Sequence, residues 1–272
     1  MKLLNGRELA DYIKVRQTRE VRALKQAHHV YPKLAIVVTD DNPVIDLYVR
    51  LKHSYGADID IDVDIHRVDQ STLKTLIPEL NADNTVHGII VQLPLADPSE
   101  TDEIVKLIAP SKDVDGLGPK ATLDPATPMA ILWLLAGYNV GLETKNVLLI
   151  GRGKLVGAPL ESMLLSSGIA VNVVDKDTKD VKAESIQADV IISATGHPGV
   201  LTSDMIKKDA VVVDAGVASE GGKTVGDVAP EVYERDDLTI TPQKGGVGPL
   251  TVCALFENVI RSAQRVSELE KQ

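Results

Sequence analysis

The sequence predicts an α/β protein of two domains, and three observations carry that prediction. Short β-branched runs alternate with longer helical stretches along the chain, the pattern of parallel strands joined by crossovers. The chain has 272 residues, more than one average domain needs, and 44% of them are apolar, enough to fill two cores. Aromatic residues make up only 3%. Those cores must therefore rest on Val, Ile, Leu and Ala, as layers around a buried parallel sheet do.

Composition then narrows the partners. A net charge of -10 and a pI near 5.1 argue against a nucleic-acid or anionic-membrane partner, since no basic stripe offsets the acid excess. Cys253 is the only cysteine, which excludes an internal disulfide framework and a multi-cysteine metal site. The six histidines show no ligand spacing, so no catalytic metal is expected. Met1 to Arg7 has no apolar signal core and no run reaches membrane-spanning length. The expectation is a soluble cytoplasmic protein.

The elements follow in order. A helix is expected from Asn5 or Gly6 to about Ala27, with Leu9, Ile13, Val21 and Leu24 on one stripe. Lys33-Leu-Ala-Ile-Val-Val38 is a strand, and Asn42-Pro43 starts the next helix with a capping side chain and a proline in the first turn. On that helix Tyr48 and Lys52 are four apart and share a face. An aromatic ring beside an amine suits a flat, conjugated ligand, although each residue type is also ordinary on a helix surface. Asp58 to Ile65 alternates acid and aliphatic, a strand wet on one face. It lacks the glycine turn and closing glutamate of a calcium loop. Ser71 is expected to cap a helix to about Leu80, and Val86 to Gln92 is a buried strand whose polar last residue points to a ligand crevice. A short helix from Thr101 to Ile108 leads into the loop Pro110 to Pro119. Pro125 opens a helix through Leu135, and strands are expected at Val147–Ile150, Ile169–Val174, Ala188–Ser193 and Ala210–Asp214. A final helix follows Gly245-Gly-Val-Gly-Pro-Leu-Thr251 and runs to about Val266.

The strand ending at Ile150 runs directly into Gly151-Arg-Gly-Lys-Leu-Val-Gly157 and then a helix. Glycines let the backbone turn tightly under a pyrophosphate, while the helix N-terminus supplies amide donors and partial positive charge. The spacing is one residue longer than the commonest dinucleotide fingerprint, with the same physical content. Asp175, at the end of the next strand, is placed to bond the adenosine ribose hydroxyls and disfavour a further phosphate. Lys176 and Arg152 pull the other way, because cations welcome that phosphate. The sequence leaves NAD and NADP both open. No Gly-x-Ser-x-Gly elbow, Walker loop or His-Glu-x-x-His is present.

Taken together, Tyr48-Val-Arg-Leu-Lys52, Gly88-Ile-Ile-Val-Gln-Leu-Pro-Leu95, Lys112-Asp-Val-Asp-Gly-Leu117, Thr127-Pro128, Gly151 to Pro159 and Gly245 to Thr251 resemble the bifunctional methylenetetrahydrofolate dehydrogenase/methenyltetrahydrofolate cyclohydrolase family. These segments occur in the family order and span nearly the whole chain. The resemblance implies oxidation of 5,10-methylenetetrahydrofolate to the methenyl cation with NAD or NADP, then hydrolysis to 10-formyltetrahydrofolate, within one-carbon metabolism and purine biosynthesis. It implies that Lys52 is the catalytic lysine, that Tyr48 packs on the folate, that Gln92 bonds the lysine and that Asp115 holds the pterin. Gly246 and Pro249 join the substrate set. Gly151, Arg152, Gly153, Val156, Gly157, Asp175, Lys176, Thr195 and Val217 form the cofactor set, and a homodimer is implied. The expected architecture is a folate-binding catalytic domain of residues 1–122, completed by a C-terminal helix of residues 250–272. A Rossmann-like domain of residues 123–249 follows it in the chain, with a cleft between the two.

The chain also departs from the family pattern. Ile45 stands where a serine is common, Ala126 replaces a cysteine, Gly153 replaces a serine, Asp175-Lys176 stands for His-Ser and Gln243-Lys244 for Val-Pro. These changes touch cofactor choice and substrate grip. A dehydrogenase without the hydrolytic step and a non-catalytic nucleotide-binding homologue are the alternatives. The retained polar set of Lys52, Gln92, Tyr48 and Asp115 counts against both.

Overall fold

The computed structural model describes residues 1–220 and 223–269, which form two compact units. One unit contains residues 1–10 and 127–251, and the other residues 11–126 and 252–272; the last three residues of the second range lie outside those described.

The first unit is built on a six-stranded sheet in the order β1-β11-β8-β7-β5-β6. Its strands are β1 (Lys2–Leu3), β5 (Val147–Ile150), β6 (Val171–Val174), β7 (Val190–Ser193), β8 (Val211–Asp214) and β11 (Thr239–Ile240), all paired in parallel. The central strands β5 and β7 are buried along their whole length, which explains their unbroken apolar sequence. The helices α5 (Ala126–Gly137), α6 (Gly157–Ser166) and α7 (Val181–Ser185) alternate with the strands, and a hairpin of β9 (Ala218–Glu220) with β10 (Lys223–Val225) follows β8. One face of the sheet supplies Leu148, Ile150, Ile191, Val212 and Ile240 to a common core. β6 leaves on one side of β5 and β7 returns on the other. This reversal marks the crevice at the strand carboxyl ends where open α/β sheets bind ligands.

The second unit has a three-stranded parallel sheet in the order β3-β2-β4, from β2 (Lys33–Val38), β3 (Asp62–Arg67) and β4 (Gly88–Val91). Its helices are most of α1 (Gly6–His28), α2 (Pro43–Asp58), α3 (Leu73–Ala82), α4 (Thr101–Val105) and most of α8 (Val247–Leu269). Ala35, Val37, Ile89 and Val91 pack against Leu73, Ile77 and Ile104. Each fully buried aliphatic side chain of this kind contributes about 1.5–3 kcal/mol. The α2 start is as read from sequence: the Asn42 side chain accepts the Val44 N–H, with Pro43 in the first turn.

Residues 1–10 group by contact with the six-stranded unit, since Lys2 and Leu3 pair with Thr239 and Ile240 at its edge. Several expectations are corrected. The acid-aliphatic alternation from Asp58 is not all strand. Asp58 ends α2, the Ile59 N–H turns back onto the Tyr55 and Gly56 carbonyls, and Asp60 takes a positive φ of 64° before β3 begins at Asp62. Ser71 does not cap α3; it lies inside a short 3-10 turn, Gln70–Thr72, that precedes it. The last helix begins at Val247, so Pro249 lies in its first turn, where proline needs no hydrogen-bond partner.

A polar cluster ties α1, α2 and α8 together inside the second unit. Gln17, fully buried, donates through Nε2 to the Cys253 carbonyl at 2.9 Å and to Glu257 Oε2 at 3.0 Å. Tyr55 donates to Gln17 Oε1 at 2.7 Å, and Arg16 closes the cluster on Glu257 at 2.7 Å. Burial pushes the Glu257 carboxyl up, but hydrogen bonds from Arg16 and Gln17 outweigh it and hold the group below its ordinary value. A depressed native pKa stabilises the fold above the unfolded-state value and loses that contribution as pH falls through the native one. Glu257→Gln should therefore cost about 1–3 kcal/mol at neutral pH. The gap to wild type should close as the medium is acidified below the ordinary glutamate range, which denaturant unfolding at several pH values will measure.

Candidate active site

Lys52, Gln92, Tyr48 and Asp115 all belong to the three-stranded unit. β2 ends in the loop that starts α2, which carries Tyr48 and Lys52. β4 ends at Gln92, whose N–H is fixed on the Val37 carbonyl of β2 at 2.8 Å. The Lys52 amine donates to Gln92 Oε1 at 2.6 Å, and Gln92 Nε2 donates to the Leu93 carbonyl at 3.0 Å. The second bond sets the amide so that its oxygen faces the lysine. Both side chains are half-buried. Burial lowers the Lys52 amine below the ordinary lysine value, against the opposing charge of Asp115. Burial likewise raises Asp115, with the Lys52 charge resisting and the Asp113 charge adding to it. Tyr48 is raised by burial and stays a neutral ring.

The loop bearing Asp115 is held by residues that the sequence reading passed over. Asp113, 2% exposed, accepts the Gly116 N–H through Oδ1 at 3.0 Å and the Gly118 N–H through Oδ2 at 2.7 Å. Its segment also bridges β4, since the Ile89 N–H donates to the Lys112 carbonyl at 2.8 Å. From α8, the buried Asn258 donates through Nδ2 to the Val114 and Asp124 carbonyls at 2.9 and 2.8 Å. The signal for Asp113 was present, as the first acid of Lys112-Asp-Val-Asp115. No local pattern in α8 marks Asn258.

The cofactor set lies in the six-stranded unit. Gly151 follows β5 with φ 95°, a conformation closed to side chains, and a Cβ there would lie 2.8 Å from the Ala194 carbonyl oxygen. At Gly157 a Cβ would lie 2.0 Å from the Gly151 carbonyl oxygen. The turn and the α6 N-terminus can close only around bare backbone. Val156 precedes α6 without a side-chain cap; in the first turn the Ala158 N–H donates to the Gly153 carbonyl at 3.0 Å and Pro159 has no N–H, so the Gly157 amide and the helix dipole are what this end offers a pyrophosphate. Gly153 differs, since a Cβ there would meet nothing within 4 Å. Arg152 is exposed and donates through Nε to Glu161 Oε2 at 2.6 Å. Asp175 and Lys176 are exposed after β6, Thr195 follows β7, and Val217, 55% exposed, follows β8.

Two carboxylates missed from sequence set the loops after β7 and β8. Asp227, fully buried, accepts the Ser193 hydroxyl at 2.6 Å and the Thr195 N–H at 2.7 Å through Oδ2. Asp214 accepts the Gly216, Asp227 and Val228 N–H groups, each at 3.0 Å. Gly246 is buried beside Thr241, and Pro249 is half-buried in α8. Both fall within the residue range of this unit.

Comparison with known proteins meets this geometry. Residues 4–115 match the tetrahydrofolate dehydrogenase/cyclohydrolase catalytic domain, and residues 125–267 match the NAD(P)-binding domain of the same proteins. The chain belongs to the tetrahydrofolate dehydrogenase/cyclohydrolase family. A bifunctional FolD protein of Cenarchaeum symbiosum is 39% identical, with 98% of this chain and 100% of that protein aligned. The crystal structure of the Campylobacter jejuni bifunctional enzyme FolD superposes with a TM-score of 0.91 at 38% identity, covering 98% of this chain and 99% of that one. A Trypanosoma brucei dehydrogenase-cyclohydrolase, solved with NADP and an inhibitor, gives 0.90 at 29% identity over 97% of each chain. The family match makes the six-stranded unit an NAD(P)-binding domain of Rossmann type, consistent with the glycine turn.

The contrast between two glycines of that turn is testable. Gly157→Ala forces a backbone collision costing about 1–3 kcal/mol, and should weaken NADH binding together with lowering the melting temperature. Gly153→Ser meets open space and should leave the melting temperature unchanged. Differential scanning fluorimetry with an NADH fluorescence titration compares the two.

Proposed function

We propose that the protein oxidises 5,10-methylenetetrahydrofolate to the 5,10-methenyl cation with a nicotinamide dinucleotide and then hydrolyses that cation to 10-formyltetrahydrofolate. The observation that carries this reading is the 2.6 Å bond from the Lys52 amine to Gln92 Oε1, with the Asp115 charge acting on the same amine. The product is a formyl donor of the kind purine assembly consumes.

Bound nicotinamide supplies the hydride acceptor of the first step. The residues of this chain then work by orientation. Tyr48 offers a neutral ring face to the flat folate. Asp115 accepts donors from the amino-pyrimidine edge of the pterin, which fixes the one-carbon bridge in position.

Hydrolysis asks more of the side chains. Water attacks the bridging carbon of the cation and loses one proton to leave a neutral C–OH adduct; the bond from that carbon to N5 then breaks as N5 gains a proton, and the hydroxyl proton leaves to solvent as the formyl C=O forms. A neutral lysine takes the first proton and, as an ammonium, returns a proton to N5, so one group serves both halves. Burial lowers the Lys52 amine below the ordinary lysine value and so enlarges the neutral share that can take a proton, and the Gln92 oxygen accepts an N–H from either protonation state without locking the charge. A carboxylate in its place would hold the lysine permanently charged.

The family resemblance supports a homodimer, which sedimentation equilibrium will test. No helix among the described residues is long and apolar enough to cross a membrane; the single cysteine, which forms no internal disulfide, is what supports a reducing cytoplasmic setting.

Lys52→Gln should reduce methenyltetrahydrofolate hydrolysis by about 10²–10⁴-fold, the usual worth of general acid-base catalysis, while methenyl formation persists. Absorbance of the methenyl cation follows both steps, and hydrolysis at the wild-type rate would refute the assignment of Lys52. In wild type, hydrolysis should rise with pH through the lowered Lys52 value. Gln92→Glu, by setting a negative charge against the ammonium, should move that rise to higher pH.

A further inference from the structure

The geometry points to Glu161 as the positioning residue that sets cofactor choice: by pairing with Arg152 beside Asp175, it fits the adenosine end of the site to the free 2′-hydroxyl of NAD(H) rather than the 2′-phosphate of NADP(H). The inference rests on the dinucleotide reading of the glycine turn and deepens it by naming the cofactor.

The neighbouring strands β5 and β6 run in parallel with Ile150 opposite Val174, and the Gly151 N–H donates to the Val174 carbonyl at 2.8 Å. Arg152 and Asp175 therefore leave the same edge of the sheet side by side, close enough that the Asp175 charge acts on the guanidinium. Asp175 is held in place by its own turn. Its N–H donates to Thr178 Oγ1 at 3.0 Å, and its Oδ1 accepts the Asp177 N–H at 3.0 Å and the Thr178 hydroxyl at 3.4 Å. Oδ2 accepts none of these bonds and is the oxygen that can take ribose hydroxyl donors.

A 2′-phosphate brings about 1.5 to 2 negative charges to this position. It meets the fixed carboxylate of Asp175, and the nearest guanidinium already donates to Glu161 Oε2 at 2.6 Å. Glu161 is the more enclosed partner, 19% exposed against 58% for Arg152, so the pair is anchored on α6. Lys176 and Lys179 share the Asp175 turn with Asp177 and Asp180, so their charge is offset within the same few residues. The exposed ammonium of Lys176 is also screened by salt, and offers a point charge where a bidentate fork would bind phosphate best.

The test is a fluorescence titration of the full-length protein with NADH and with NADPH, folate absent, on wild type, Glu161→Gln, Arg152→Ala and the double variant. Wild type should bind NADH about tenfold or more tightly than NADPH, a difference of about 1.4 kcal/mol. Glu161→Gln should tighten NADPH about fivefold by releasing the guanidinium for a charge-assisted bond, with NADH within about twofold. That gain should vanish in the double variant, and thermal melts should show all four proteins folded. NADPH binding as tightly as NADH in wild type, or Glu161→Gln weakening both cofactors alike, overturns the inference and leaves the dinucleotide reading intact. Absence of binding by either cofactor overturns the dinucleotide reading, and the inference with it.

Discussion

A lysine amine taken out of water and given an amide oxygen in place of a carboxylate is the constraint around which the three-stranded unit is arranged. Desolvation alone favours loss of the proton, and an acid at hydrogen-bond distance would cancel that preference. Gln92 gives the amine a partner without cancelling it. The one charge that does oppose the shift comes from Asp115, which acts electrostatically and whose own carboxyl is raised by burial. Keeping this balance demands fixed backbone on both sides. The N–H of Gln92 is tied to β2, and the Asp115 loop is tied to β4 through Lys112 and Ile89. Asp113 and Asn258 add bonds from inside the loop and from α8.

The six-stranded unit solves a different problem, the close approach of backbone to backbone. Its binding turn is shaped by excluded volume: at Gly151 and Gly157 even a methyl group would overlap main-chain atoms. The neighbouring loops are shaped by buried acids, with Asp227 reaching Ser193 and Thr195 and Asp214 reaching three amides across from β8. A buried carboxyl group that receives two or three hydrogen bonds makes a rigid staple, because none of those bonds competes with bulk water. Rigidity there matters, because the ends of parallel strands are where the ligand is held.

What the sequence disclosed follows the range of the underlying interaction. Strands β2, β4, β5, β7 and β8 were legible because a run buried on both faces must be apolar throughout, and the α2 start because Asn42 and Pro43 act within a single turn. The glycine turn was visible for the same reason. Gln92 stood out as a polar residue ending an apolar strand, whereas its partner could be named only through family resemblance, since nothing local links positions 52 and 92. Asp227 and Asn258 were missed because their partners lie 32 or more residues away in the chain. Two-residue strands such as β1 and β11 carry no periodicity at all; only the tertiary partner makes them strands. At Asp58 the alternation misled because the helix hydrogen bonds of Tyr55, Gly56 and Ala57 prevailed over the local pattern.

The placement of β1 has a consequence for how the protein is made. Leu3 pairs with Ile240, and residues 252–269 belong to the unit that residues 11–126 begin. A ribosome delivers the first edge of one sheet before the strands it joins, and it delivers the closing helix of the other unit after the whole of residues 127–251. Neither half is contiguous in the gene. Cutting the chain near residue 123 would therefore yield two incomplete fragments, each lacking a piece carried by the other.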